Sequence, residues 1–184
     1  MVQDQLADDL LSPVYREAFV LSVKDRTIYA AAPANREIQG IFKFEFNQKN
    51  RIIAQSLGRI TTSNDTLFWK TEQFEYQNDQ LYKKTKKTCR DVKCLKKDKT
   101  EITLYENGII KTHTIQSFMP KREGPFAEDV STYYYSGQTL DSLVTDEYSI
   151  RPDERIHFKR SVDVYQYDQQ QQLQSQLQQP QHQP

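Results

Sequence analysis

The chain has 184 residues, 25 Lys+Arg against 25 Asp+Glu for zero formal charge, and 36% hydrophobic residues. That length suits one domain with tails. The low hydrophobic content, five glycines and two cysteines exclude in turn a transmembrane bundle, a collagen-like chain and a cysteine-rich miniprotein, and the neutral total leaves no whole-chain charge to attract an ionic partner.

Residues 1–13 predict a short helix or extension. Leu6, Ala7, Leu10 and Leu11 fall near one helical face and Pro13 ends it. The start, Met1-Val2-Gln3-Asp4-Gln5, lacks the basic region and apolar stretch of a signal peptide. From 14 to 168 the pattern is that of strands. Phe42-Lys43-Phe44-Glu45-Phe46 and Val162-Asp163-Val164 alternate with period two. Turn-forming breaks at 47–50, 77–79, 106–108 and 136–137 separate strand-like runs, as in hairpins. Residues 169–184 contain ten Gln and two Pro and predict a disordered tail.

A repeat of about thirty residues runs through the strand region. The last aromatic before each turn is Phe46, Tyr76, Tyr105, Tyr135 and Tyr167, at spacings of 30, 29, 30 and 32. An aliphatic residue follows each turn: Ile52, Leu81, Ile109, Leu140 and Leu173. A second aromatic lies two residues earlier in four copies, at Phe44, Phe74, Tyr133 and Tyr165. Residues at i and i+2 share a strand face, so each aromatic pair can meet the aliphatic residue on the partner strand, at roughly 0.2–1 kcal/mol per pair. A further copy is foreshadowed at Leu21–Ile28. A lone hairpin cannot bury its apolar face, so the units must share one sheet.

Tyr165-Gln166-Tyr167-Asp168 followed by Leu173, Phe44-Glu45-Phe46-Asn47 with Arg51-Ile52, and Phe74-Glu75-Tyr76 with Leu81 resemble the YD (RHS-type) repeat of bacterial surface and secreted proteins. The resemblance covers roughly residues 40 to 173. It implies a bacterial β-hairpin-repeat sheet serving as shell or binding surface, and it implies no catalytic residues.

Three features invite a functional reading. Between Lys83 and Lys99 lie nine basic and two acidic residues, so this segment carries +7 and the remainder −7. Lys83, Lys84, Lys86, Lys87, Arg90, Lys93, Lys96 and Lys97 form either a docking patch for an acidic partner or a solvated hairpin tip guarded from edge pairing. Charge on both strand faces at Lys83-Lys84 and Lys86-Lys87 predicts a hairpin protruding beyond the core. With little aromatic interleaving, nucleic acid is disfavoured. Tyr133-Tyr134-Tyr135 puts two rings on one face and one on the other, a candidate aromatic surface. Cys89 and Cys94, with four residues between them, are either a disulfide pair, which needs an oxidising compartment, or two free thiols.

Gly-x-Ser-x-Gly, P-loop, Gly-x-Gly-x-x-Gly and His-Glu-x-x-His motifs are absent, and His113, His157 and His182 stand apart from one another. The expectation is an all-β protein: an antiparallel meander of about ten strands, as a curled repeat sheet or an up-and-down barrel, with a short N-terminal helix. The expected function is non-catalytic binding of another protein in the bacterial periplasm or outside the cell, with the cytoplasm as the alternative location. A lipocalin-like barrel carrying a small apolar ligand is the second reading, and an enzyme on a β-barrel the third. No cofactor, metal or transmembrane segment is expected.

Overall fold

A computed structural model describes residues 19–31, 40–60, 66–89, 97–168 and 173–181, and no helix occurs among them. The strands are β1 (Phe19–Lys24), β2 (Thr27–Ala31), β3 (Gly40–Phe46), β4 (Ile52–Ile60), β5 (Thr66–Gln77) and β6 (Gln80–Cys89), then β7 (Lys97–Glu106), β8 (Ile109–Phe118), β9 (Pro125–Ser136), β10 (Thr139–Arg151), β11 (Glu154–Tyr167) and β12 (Leu173–Gln181). Their order in the sheet is their order in the chain, with β1 and β12 as its ends. The protein is therefore an all-β antiparallel meander in an open sheet, of twelve strands rather than about ten, and the barrel alternative is set aside. The helix expected at 1–13 lies outside the described residues.

The strands fall into two compact units. One holds β1 to β4, β5 as far as Gln73, and Cys89; the other holds the rest of β5, β6 as far as Thr88, and β7 to β12. Within each, strands pack on their chain neighbours. Turn chemistry explains why. Asp25-Arg26, Asn78-Asp79 and Asn107-Gly108 all have positive φ at both residues, the backbone whose twist matches a two-residue hairpin. Between β3 and β4 the longer turn is tied by the Asn47 side chain, whose Oδ1 accepts from the Lys49 and Arg51 amides at 2.9 and 3.0 Å.

The five aromatics that mark the thirty-residue spacing occupy the last two positions of β3, β5, β7, β9 and β11. Phe46 opposes Ile52, Tyr135 opposes Leu140 and Tyr167 opposes Leu173. Tyr105 opposes Ile110 rather than Ile109, because the tight Asn107-Gly108 turn pairs Ile109 with Glu106. In all four hairpins the ladder then slips by one residue directly after the aliphatic partner, leaving Ile53, Lys111, Asp141 and Gln174 as the extra residue of a bulge.

Residues 169–184, expected to be disordered, contain β12. The reason is that a strand is recruited by the backbone groups of its neighbour, whatever its polar side chains. Leu173 against Tyr167 and Leu177 against Val164 add apolar contact.

No described side chain is sealed from water. The most buried apolar residues are Ile41, Phe42 and Cys89, and the most buried polar ones Glu72, Thr100, Thr103 and Ser161. A close backbone approach occurs at Gly58, which opposes Phe68 where the β4–β5 register slips. A Cβ there would overlap the Leu67 carbonyl oxygen and lie 2.7 Å from Phe68 Cδ1. Gly58→Ala is expected to destabilise the protein by about 1–3 kcal/mol through overpacking. Urea unfolding would show the midpoint falling; an unchanged midpoint would mean that β4 and β5 yield freely.

Candidate binding face

The second unit exposes two chemically different faces, separated by the period-two alternation of its strands. On the face bearing Tyr134, one row of opposed residues runs Leu104, Thr112, Thr132, Val144, Val162 across β7 to β11. The neighbouring row runs Tyr134, Ser142, Val164, Leu177 across β9 to β12. Flanking the first row, on the same face, lie Ile102, Thr114 and Val130. These rows form an aliphatic and threonine ladder with its ends in water: Leu104 is 39% exposed, Tyr134 49% and Leu177 49%.

A polar border adjoins the ladder on the same face. Asp146 accepts two hydrogen bonds from Arg160, at 2.7 and 2.9 Å, and lies 2.7 Å from His157 Nε2. The Arg160 hydrogen bonds, with His157 adding to them, outweigh burial and hold the Asp146 carboxyl below its ordinary value. His157 packs on Tyr148 at 5.1 Å between ring centroids, and the Arg155 guanidinium lies 3.4 Å over that tyrosine. Arg155 also pairs with Glu128, which accepts from Gln116 at 2.8 Å.

The opposite face is polar in its middle rows. Thr103, His113, Ser131, Thr145 and Ser161 form one row, with Thr103 Oγ1 2.9 Å from His113 Nδ1 and Ser131 3.0 Å from Thr145. Burial lowers the His113 pKa, against the opposing pull of Glu101. Asp129 goes the other way: burial, then the nearby Glu147, raises its pKa. Tyr133 and Tyr135 sit half-buried on this face, their hydroxyls pushed up by burial, while Tyr134 alone of the three is exposed on the ladder face.

The described part of the basic run lies elsewhere, on β6 and β7, where carboxylates and rings stand beside most of its lysines. Lys83 pairs with Glu75 at 2.9 Å, and Tyr82 donates to the same carboxylate at 2.8 Å; the hydrogen bonds from Lys83 and Tyr82 lower the Glu75 pKa. Lys84 lies 5.4 Å over the Phe74 ring and Lys97 5.6 Å over Phe118. Lys86 and Lys99 bind Glu101 at 2.8 and 3.3 Å; burial pushes that carboxyl up, but the two lysines prevail and leave it low. Lys87 is half-buried on β6. Lys83, Lys84, Lys86 and Lys87 thus belong to a strand that stands between β5 and β7 in the sheet order, not to a protruding tip. A sheet with no dry face tolerates lysines on both sides when carboxylates and rings stand beside them. Arg90, Lys93 and Lys96 lie outside the described residues. Cys89 is disulfide-bonded; the chain's other cysteine, Cys94, also lies outside them.

In the first unit Phe42, Phe44, Gln55, Ser56, Leu57, Lys70 and Glu72 line a shallow depression that opens to solvent. Its buried Glu72 accepts from Gln55 at 2.6 Å and lies 3.5 Å from Lys70. Its cavity volume of about 10 Å³ is room for about one water, far below the roughly 300–1,000 Å³ of a drug-sized ligand site. Among the described residues no cluster of three His, Cys, Asp or Glu side chains could hold a metal ion, and no helix is long and apolar enough to cross a membrane.

The ladder was not readable from the sequence, since its members come from six strands and meet only once register is known. The alternation Val162-Asp163-Val164 was its one local signal. No protein-family model matches the chain, and no curated protein matches it.

Two carboxylates on opposite faces predict opposite pH behaviour. Asp146 has a lowered folded-state pKa, so its contribution is present above the unfolded value of about 3.9 and is lost as pH falls through the folded value. Asp129, with a raised pKa, disfavours the folded state once ionised at neutral pH. Asp146→Asn should lower Tm at pH 7 and lessen the loss of stability in acid, by about 1 kcal/mol or less given its half-exposed partners. Asp129→Asn should raise Tm at pH 7. Thermal melts between pH 3 and pH 7 check both signs.

Proposed function

We propose that the protein is a non-catalytic β-hairpin-repeat binding protein whose Tyr134 face docks another protein in the bacterial periplasm or outside the cell. The observation that carries this reading is the ladder, two adjacent rows of exposed and half-exposed Leu, Val, Thr and Tyr with one Ser, beside a hydrogen-bonded polar border. An apolar centre with a polar rim is the composition of a protein interface, and Tyr is favoured there because it combines large area with a hydroxyl. The aromatic and aliphatic positions on which the resemblance to YD-type repeats rests lie opposite each other at the ends of β3 and β11. The ion-paired lysines of β6 move the expected contact from the basic run to the ladder. The disulfide at Cys89 supports an oxidising compartment.

The test is capture of a partner from envelope and secreted fractions, identified by crosslinking and measured in purified form. Leu104→Ser with Tyr134→Ser should weaken binding at least about tenfold, the loss of one strong contact, with far-UV circular dichroism unchanged. Lys86→Gln with Lys87→Gln should leave it within about twofold. Binding that survives the ladder variant and fails with the lysine variant would return the site to the basic strand. Independently, protein purified without reductant should have the mass of the oxidised form, and reduction should lower stability by about 2 kcal/mol in urea unfolding.

A further inference from the structure

We propose that β12 is a self-pairing edge through which two copies of this chain join their sheets antiparallel about a two-fold axis. The inference concerns the backbone edge of β12, which shares Leu177 with the docking face, and it does not depend on the docking role. β12 ends the strand order, and among the described residues it pairs on one side only, with β11. An edge strand presents unpaired backbone N–H and C=O groups, which proteins commonly guard with lysines or inward charges. β12 lacks that guard: its sequence, Leu-Gln-Ser-Gln-Leu-Gln-Gln-Pro-Gln, contains no charged residue, and its Pro180 stands near one end. At the other end of the order, β1 is shorter at six residues and closes on exposed Lys24.

The choice of a second copy follows from what β12 carries. Across an antiparallel two-fold a strand meets its own residues. Like charges facing each other there would repel, whereas a glutamine amide both donates and accepts and so complements itself. Five of the nine residues are glutamine. Leu173 and Leu177 are 56% and 49% exposed, more than most leucines retain in a finished interface. Leu177 is the middle residue, so an axis passing there gives the longest overlap of the two edges, interrupted only by the bulge at Gln174 and the missing N–H of Pro180. It also joins the Tyr134, Ser142, Val164, Leu177 row of one copy to that of the other, extending one apolar surface across the junction.

The experiment measures mass by light scattering and sedimentation over roughly a hundredfold concentration range, with disulfide trapping of the full chain. The wild type should move from monomer to dimer and stop there. Gln176→Lys with Leu177→Lys should hold it monomeric by facing like charges across the axis. Because that variant could instead loosen β12, Leu177→Cys supplies a gain of signal: its two copies meet at a Cα separation of about 4.5–5.5 Å, within disulfide reach, and should crosslink. Leu173→Cys should not, since its copies lie about 27 Å apart in this register. A wild type that stays monomeric throughout overturns the proposal. So does growth past the dimer, which would signify β12 adding to β1, and so does equal trapping at Leu173→Cys and Leu177→Cys.

Discussion

Every described strand has to be held without a dry interior. In a two-layer domain, fully burying a Val, Leu or Phe contributes about 1.5–3 kcal/mol; here Ile41, Phe42 and Cys89 approach that state, and the other described apolar side chains keep more of their surface in water. The deficit must be met by what a single sheet offers in quantity, namely ladder hydrogen bonds and cross-strand pairs worth a few tenths of a kcal/mol each. This explains the strand lengths. From β5 to β11 they run from 10 to 14 residues, beyond the usual five or six. It explains the polar rows too. Ser131 with Thr145, Glu147 with Lys159 and Asp146 with Arg160 are cross-strand pairs doing for their positions what burial would do elsewhere.

The same constraint gives the repeated bulge a purpose. A long ladder without interruption accumulates twist evenly and places every aromatic according to strict alternation. Slipping the register by one residue beside Phe46, Tyr105, Tyr135 and Tyr167 concentrates the bend near the turn, where the aromatic and its aliphatic partner are opposed. The extra residues Ile53, Lys111 and Asp141 are exposed and chemically unlike one another, so the device depends on backbone geometry and not on which side chain sits at the bulge.

That distinction marks what the sequence disclosed. Turns with Asn, Asp and Gly at positive φ and strands of alternating character were local signals, and they located the hairpins at 47–50, 78–79, 107–108 and 137–138. The aromatic spacing found the ends of five strands. Local reading failed where the cause was non-local. The glutamines of β12 look unfit for a core, but β11 asks only for a backbone to pair with. The lysines of β6 look like a solvated tip because their counter-charges, Glu75 and Glu101, belong to other strands. The tyrosine triplet was visible as two rings on one face and one on the other, yet which face would be apolar depended on Leu104, Val144, Val162 and Leu177 arriving beside Tyr134 through pairing alone.

The two faces then answer different demands. On the Tyr133 face the middle rows are filled with hydroxyls, carboxylates and His113, and neighbours satisfy many of these groups. On the Tyr134 face, valine and threonine occupy positions where charged residues would be equally compatible with strand pairing and better hydrated. Stability alone does not require that choice, since a half-exposed valine gains only part of its burial energy. In the docking role proposed above, a surface kept apolar at that cost in solubility would be covered for part of its working life. Its Tyr134 row ends on β12, at Leu177. Face and edge therefore share a residue, and a strand added at β12 would enlarge the apolar surface that a partner meets. By linkage, whatever binds across that junction would favour the paired edge by the same free energy with which the paired edge favours its binding.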